Sequence, residues 1–85
     1  MKKQIGAVLK RFREEKEGTT QADVAKAVSK SGKAHHGYIE RIELGEKAPS
    51  VEYIEKLLEF YGRSEFDFFH ALLSEYRPSS KPPEK

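Results

Sequence analysis

Eighty-five residues, of which 36% are hydrophobic and 35% charged, supply one modest apolar core and leave nothing over for a second domain. Without cysteine, neither disulfides nor a thiolate metal centre can staple the fold, which suits a reducing, cytoplasmic setting, and no apolar run approaches the ~18 residues of a membrane span or the core of a signal peptide. A formal net charge of +2 neither indicates nor excludes a nucleic-acid partner, so the distribution of charge has to decide.

Ile5, Leu9 and Phe12 recur at helical spacing beside Val8, with Lys10, Arg11, Glu14 and Glu15 elsewhere. That pattern predicts an amphipathic first helix over about residues 3 to 16. Gly18 and Thr19 break it. Thr20 and Asp23 then stand as a capping box that opens a second helix, with Val24, Ala25 and Val28 as its small apolar face. Ser29, Lys30, Ser31, Gly32 and Lys33 form a polar turn, in which Gly32 is free to take a left-handed conformation. A third helix follows from about His35 to Leu44, burying Ile39 and Ile42 with Tyr38 as a further candidate, and with Gly45 as its stop.

Ser50 is placed to cap a fourth helix, lined on one side by Val51, Ile54, Leu57, Leu58 and Tyr61 and stopped by Gly62. Ser64 with Asp67 makes a second capping box, opening a fifth helix over about residues 65 to 76. The remainder, residues 77–85, is too rich in proline and polar side chains to pack and is expected to be a flexible tail. The expected fold is therefore all-α: a compact five-helix domain over residues 1–76, with no internal repeat.

Two short helices joined by a polar turn are a means of presenting the second of them to the major groove of DNA. Charge is distributed accordingly. Lys30, Lys33, His35, His36, Arg41 and Lys47 surround the turn and third helix, whereas Glu52, Glu55 and Glu59 lie on the fourth. Catalysis has little support, because His70 and the serines lack an accompanying base, nucleophile or metal constellation and no glycine loop cradles a phosphate. The chain is expected not to be an enzyme and to need no cofactor.

Several stretches, taken in order, resemble the Cro/repressor-type (XRE) helix-turn-helix family, whose domains are lambda-repressor-like. They are Ile5-Gly6, Leu9 and Phe12-Arg13; Thr20-Gln21 with Val24-Ala25; Ile39 through Gly45; and Pro49-Ser50. The resemblance covers about residues 4 to 62 and departs in two places. About one extra residue lies between Arg13 and Gln21, and about four between Val28 and Ile39. Four residues are about one helical turn, so either the second helix is longer, ending near Lys30, or the turn is enlarged; the longer helix is preferred.

The resemblance implies a role for particular residues. Gln21 matches the family glutamine that binds a DNA phosphate, and Thr20, Lys33, Tyr38 and Lys47 are grouped with it as phosphate contacts. His36, Gly37 and Arg41, with His35 beside them, fall where the family's third helix faces base edges. Arg41 suits the O6 and N7 atoms of guanine, while Glu40 either points aside or accepts from cytosine N4. The two adjacent histidines point about 100° apart on a helix and make a poor metal pair, so no metal is expected. Arg13 and Glu43 match a family ion pair joining the first and third helices.

On the fifth helix, Phe66, Phe69 and Leu73 form one apolar stripe and Phe68, Leu72 and Tyr76 another. Together they exceed what one small core can cover, which predicts a homodimer through this helix and a pseudo-palindromic operator in double-stranded DNA. The function implied is a sequence-specific, repressor-type transcriptional regulator. The alternative is an antitoxin-like module, in which the fifth helix and the tail grip a protein partner and DNA binding is auxiliary.

Overall fold

The computed structural model describes residues 1–28 and 36–76, apart from the side chains of His36 and Tyr76. Its five helices are α1 (Lys2–Glu15), α2 (Gln21–Val28), α3 (His36–Glu43), α4 (Val51–Tyr61) and α5 (Glu65–Tyr76), and no strand occurs among the described residues. The all-α expectation holds. The expected polar turn and the expected proline-rich tail lie outside the described residues, and so does the choice between a longer second helix and an enlarged turn.

Every helix contributes to one core. Val8, Leu9 and Phe12 of α1 meet Val24, Ala25 and Val28 of α2, Ile39 and Ile42 of α3, Leu57, Leu58 and Tyr61 of α4, and Ala71 and Leu72 of α5. Two packing relations position the rest: α2 lies against both α3 and α4, and α1 lies against both α3 and α5. Ion pairs from Arg11 to Glu75 and from Arg63 to Glu15 tie α5 and the turn before it to α1 at the surface.

The helix ends follow from the chemistry of the residues there. At α2, the Asp23 N–H donates to the Thr20 hydroxyl at 3.1 Å and the Thr20 N–H donates to the Asp23 carboxylate at 3.0 Å. The Thr20 backbone N–H first, and the Thr20 hydroxyl beside the carboxylate second, hold the Asp23 carboxyl below its ordinary value. Ser64 and Asp67 repeat the arrangement at α5, and the Ser50 hydroxyl accepts from the Tyr53 N–H at 3.1 Å at α4. Helix α3 closes with Gly45 at φ +84°, where the Gly45 and Glu46 N–H groups donate back to the Ile42 and Arg41 carbonyls.

Two expectations need correction. Leu44 belongs to the turn that closes α3, not to the helix, and is exposed. Val51, expected on the inner side of α4, is exposed because it begins the first turn, before the helix reaches the core.

Candidate nucleic-acid interface

Helix α3 is divided by its period of 3.6 residues. Ile39, Ile42 and Glu43 point inward and are buried, while Gly37, Glu40, Arg41 and Leu44 are exposed. Gly37, Glu40 and Arg41 fall at i, i+3 and i+4, one edge of the helix, and Leu44, at i+7 in the turn that closes it, continues that edge. Arg41 makes no ion pair among the described residues, so its guanidinium has no charged partner there to compete with a ligand.

The other side of α3 is held by a polar cluster around Glu43. Arg13 of α1 grips this carboxylate with two parallel bonds, from Nε at 2.7 Å and from Nη2 at 3.0 Å. Its remaining arm donates from Nη1 to the Thr19 carbonyl at 3.2 Å. The side chains of the pair are 14% and 3% exposed, so this is a largely desolvated, bidentate ion pair. The bond to Glu43 holds the Arg13 pKa above its ordinary value against the opposing effect of burial. Tyr61 lies within the field of the same cluster, and burial, reinforced by the Glu43 charge, raises its phenol pKa far above the usual value. It therefore stays neutral.

Glu43 has a third donor. The Gln21 side-chain amide gives Nε2 to its Oε1 at 2.9 Å, so one carboxylate joins α1, the start of α2 and the end of α3. A primary amide carries two N–H donors, which leaves Gln21 a second one beyond the cluster. The capping box uses the backbone N–H groups of Thr20 and Asp23, and those of Gln21 and Ala22 have no partner among the described residues.

The remaining expected contacts fall in different places. Thr20 and Lys47 are exposed, the first at the start of α2 and the second in the connection after α3. Tyr38 is half-buried and packs edge-on against Tyr53, with ring centroids 5.2 Å apart and planes at 73°, so its ring is part of the α3–α4 contact. Gly37 is exposed on the outward edge. Lys33 and His35 lie outside the described residues, as does the His36 side chain.

On α5 the two apolar stripes part company. Phe66, Phe69 and Leu73 are 76%, 61% and 49% exposed, whereas Leu72 is in the core and Phe68 is half-buried against it. Leu72 and Phe68 are thus withdrawn from the expected association surface, because their side of α5 covers the chain's own core. The Tyr76 side chain lies outside the described residues.

Three features escaped the sequence. The Gln21–Glu43 bond spans 22 residues and depends on how α2 crosses α3. Leu44 is exposed at the end of the outward edge, which its spacing of seven from Gly37 would have shown. Lys3 rests against Gly45, a contact with no local sequence signal.

A family model described as a helix-turn-helix domain matches residues 4–67. Comparison with curated proteins and with solved structures finds no match. No helix among the described residues is long and apolar enough to cross a membrane.

Proposed function

The chain belongs to the helix-turn-helix domain family, and from that premise we propose that it is a regulator that binds duplex DNA sequence-specifically, with α3 entering the major groove. The observation that carries this reading is the continuous outward edge of Gly37, Glu40, Arg41 and Leu44, backed by a helix face wholly committed to the core and to Arg13. A major groove about 12 Å wide admits a helix presented in this way.

The contacts divide by role. The Gln21 amide, held at one hydrogen by Glu43, aims its second at a phosphate, and the free N–H groups at the start of α2 and Thr20 line the same approach. Lys47 meets the backbone on the far side of α3. Arg41 reads a guanine through O6 and N7, and the absence of a side chain at Gly37 lets the helix and the groove floor come close. Function as a repressor follows from occupancy alone, since this unit needs no catalysis to block a promoter.

The outward stripe of α5, Phe66, Phe69 and Leu73, is the surface on which two copies associate. A two-fold dimer sets two α3 helices about 34 Å apart, one turn of DNA, and so demands a pseudo-palindromic operator.

Selection of bound sequences from random duplex DNA, followed by titration of the winner across salt concentrations, tests the reading. The expected result is an enriched motif with guanine in each half-site and a log–log salt slope of several units. Substituting Arg41→Ala is expected to relax preference at that guanine, at a cost of about 1–3 kcal/mol, without lowering thermal stability. No enrichment and a flat salt response, with a stoichiometric protein partner recovered in its place, would overturn it in favour of a partner-binding module.

A further inference from the structure

We propose that the first turn of α1 is a second backbone-contacting element, in which Lys2 and Lys3, together with Lys47, grip the phosphates flanking the site read by α3. The inference rests on the DNA-binding reading above.

It starts from Gly45, the left-handed residue at which the chain leaves α3 for the connection bearing Lys47. A Cβ at Gly45 would stand 2.8 Å from Lys3 Cγ and 3.0 Å from Lys3 Cα, so α1 begins directly against the end of the reading helix. A second close approach, with a Cβ at Gly6 only 2.2 Å from the Ile42 carbonyl oxygen, fixes this register one turn further along α1. Lys2, Lys3 and Lys47 are therefore brought to one end of α3, although Lys47 stands far from the other two in sequence.

All three side chains are exposed, and none forms an ion pair with a carboxylate among the described residues. Three acidic residues lie on or beside this end of α3: Glu43 is buried and bound by Arg13 and Gln21, while Glu40, on the outward edge, and Glu46, beside Lys47 in the connection, form no ion pair with these lysines among the described residues. Lys16, at the opposite end of α1, stands in contrast: its ammonium sits 5.4 Å from the centroid of the Phe60 ring. Lysines on flexible four-carbon stems suit phosphate, which needs a point charge and no fixed geometry. When α3 lies in the major groove, an element packed on its end is carried toward the backbone at the groove's rim, and contacts there position the protein without reading sequence.

The test compares the parent chain with the double variant Lys2→Gln/Lys3→Gln and with Lys16→Gln, measuring affinity for a selected duplex and for random duplex over a range of salt. Every phosphate that the protein ceases to neutralise lowers the log–log slope by about 0.9. The double variant is expected to show a slope shallower by about one to two units and to weaken on both duplexes equally, keeping its base preference, while Lys16→Gln matches the parent. Lys2→Arg/Lys3→Arg restores the parental slope, which separates charge from any loss of fold. A steep parental slope that the double variant leaves unchanged overturns this inference and spares the DNA-binding reading. A flat parental slope overturns both.

Discussion

Glu43 accepts from two nitrogens of Arg13 and one of Gln21 with its side chain almost wholly removed from water, so removing a donor leaves a desolvated charge short of partners. Replacing Arg13 by methionine leaves a buried carboxylate with a single amide donor, and such a stranded charge costs about 3–5 kcal/mol. Replacing both, Arg13→Met/Glu43→Leu, removes the charge with its partner and is expected to recover most of that loss, since apolar packing competes well with a buried pair. DNA affinity is expected not to recover with it, because Gln21 then has no anchor. Thermal denaturation of the two variants checks the first part and duplex binding the second; an Arg13→Met chain within about 1 kcal/mol of the parent would show the pair to be a solvated surface contact. The positions of Arg13 and Glu43 were legible through a family resemblance. The bond from Gln21 was not, for it exists only because two helices cross at one carboxylate.

Helices α1 and α3 approach so closely that the contact outweighs intrinsic preference. Within a helix, alanine is favoured over glycine by about 1 kcal/mol, and on that ground Gly6→Ala would stabilise α1. The added methyl would meet the Ile42 carbonyl oxygen at 2.2 Å and that of Glu43 at 2.9 Å, both backbone atoms that cannot turn aside. The helices must separate, and overpacking of this kind costs about 1–3 kcal/mol or more. Urea denaturation is expected to show net destabilisation of Gly6→Ala, with weaker DNA binding because α3 carries the edge proposed to read bases; a stabilised variant would mean that the helices are further apart. The element boundaries at α2, α4 and α5 could be read in advance, since Thr20, Ser50 and Ser64 act on N–H groups three residues away. Tight packing at Gly6 could not, because a glycine in a helical pattern has the same local signature whether or not another backbone lies over it.

For the molecule as a whole, the sequence leaves open how the many aromatic and aliphatic positions on α4 and α5 share one small core. The fold answers it by turning Ala71 and Leu72 inward, with Phe68 half-covered beside them, and leaving Phe66, Phe69 and Leu73 on the outer face. Which stripe faces out depends on how α5 settles against α1, information that periodicity alone does not carry, because both stripes have helical spacing. Large exposed aromatics in a contiguous row are costly to leave in water and mark association. Since α3 meets α1 at Gly6 and α5 is tied to the same helix further along, at Arg11, the proposed pairing through α5 would leave the outward edge of α3 open in both copies. The substitution Phe69→Glu places a charge on that surface without touching the core, and sedimentation is expected to shift from dimer to monomer at micromolar concentration with the melting temperature of the monomer fold retained. Affinity for a two-half-site duplex should fall far more than affinity for one half-site, because what disappears is the advantage of simultaneous engagement. A parent chain that sediments as a monomer, or a Phe69→Glu chain that remains dimeric, would exclude α5 as the pairing surface and reassign its apolar face to a different partner.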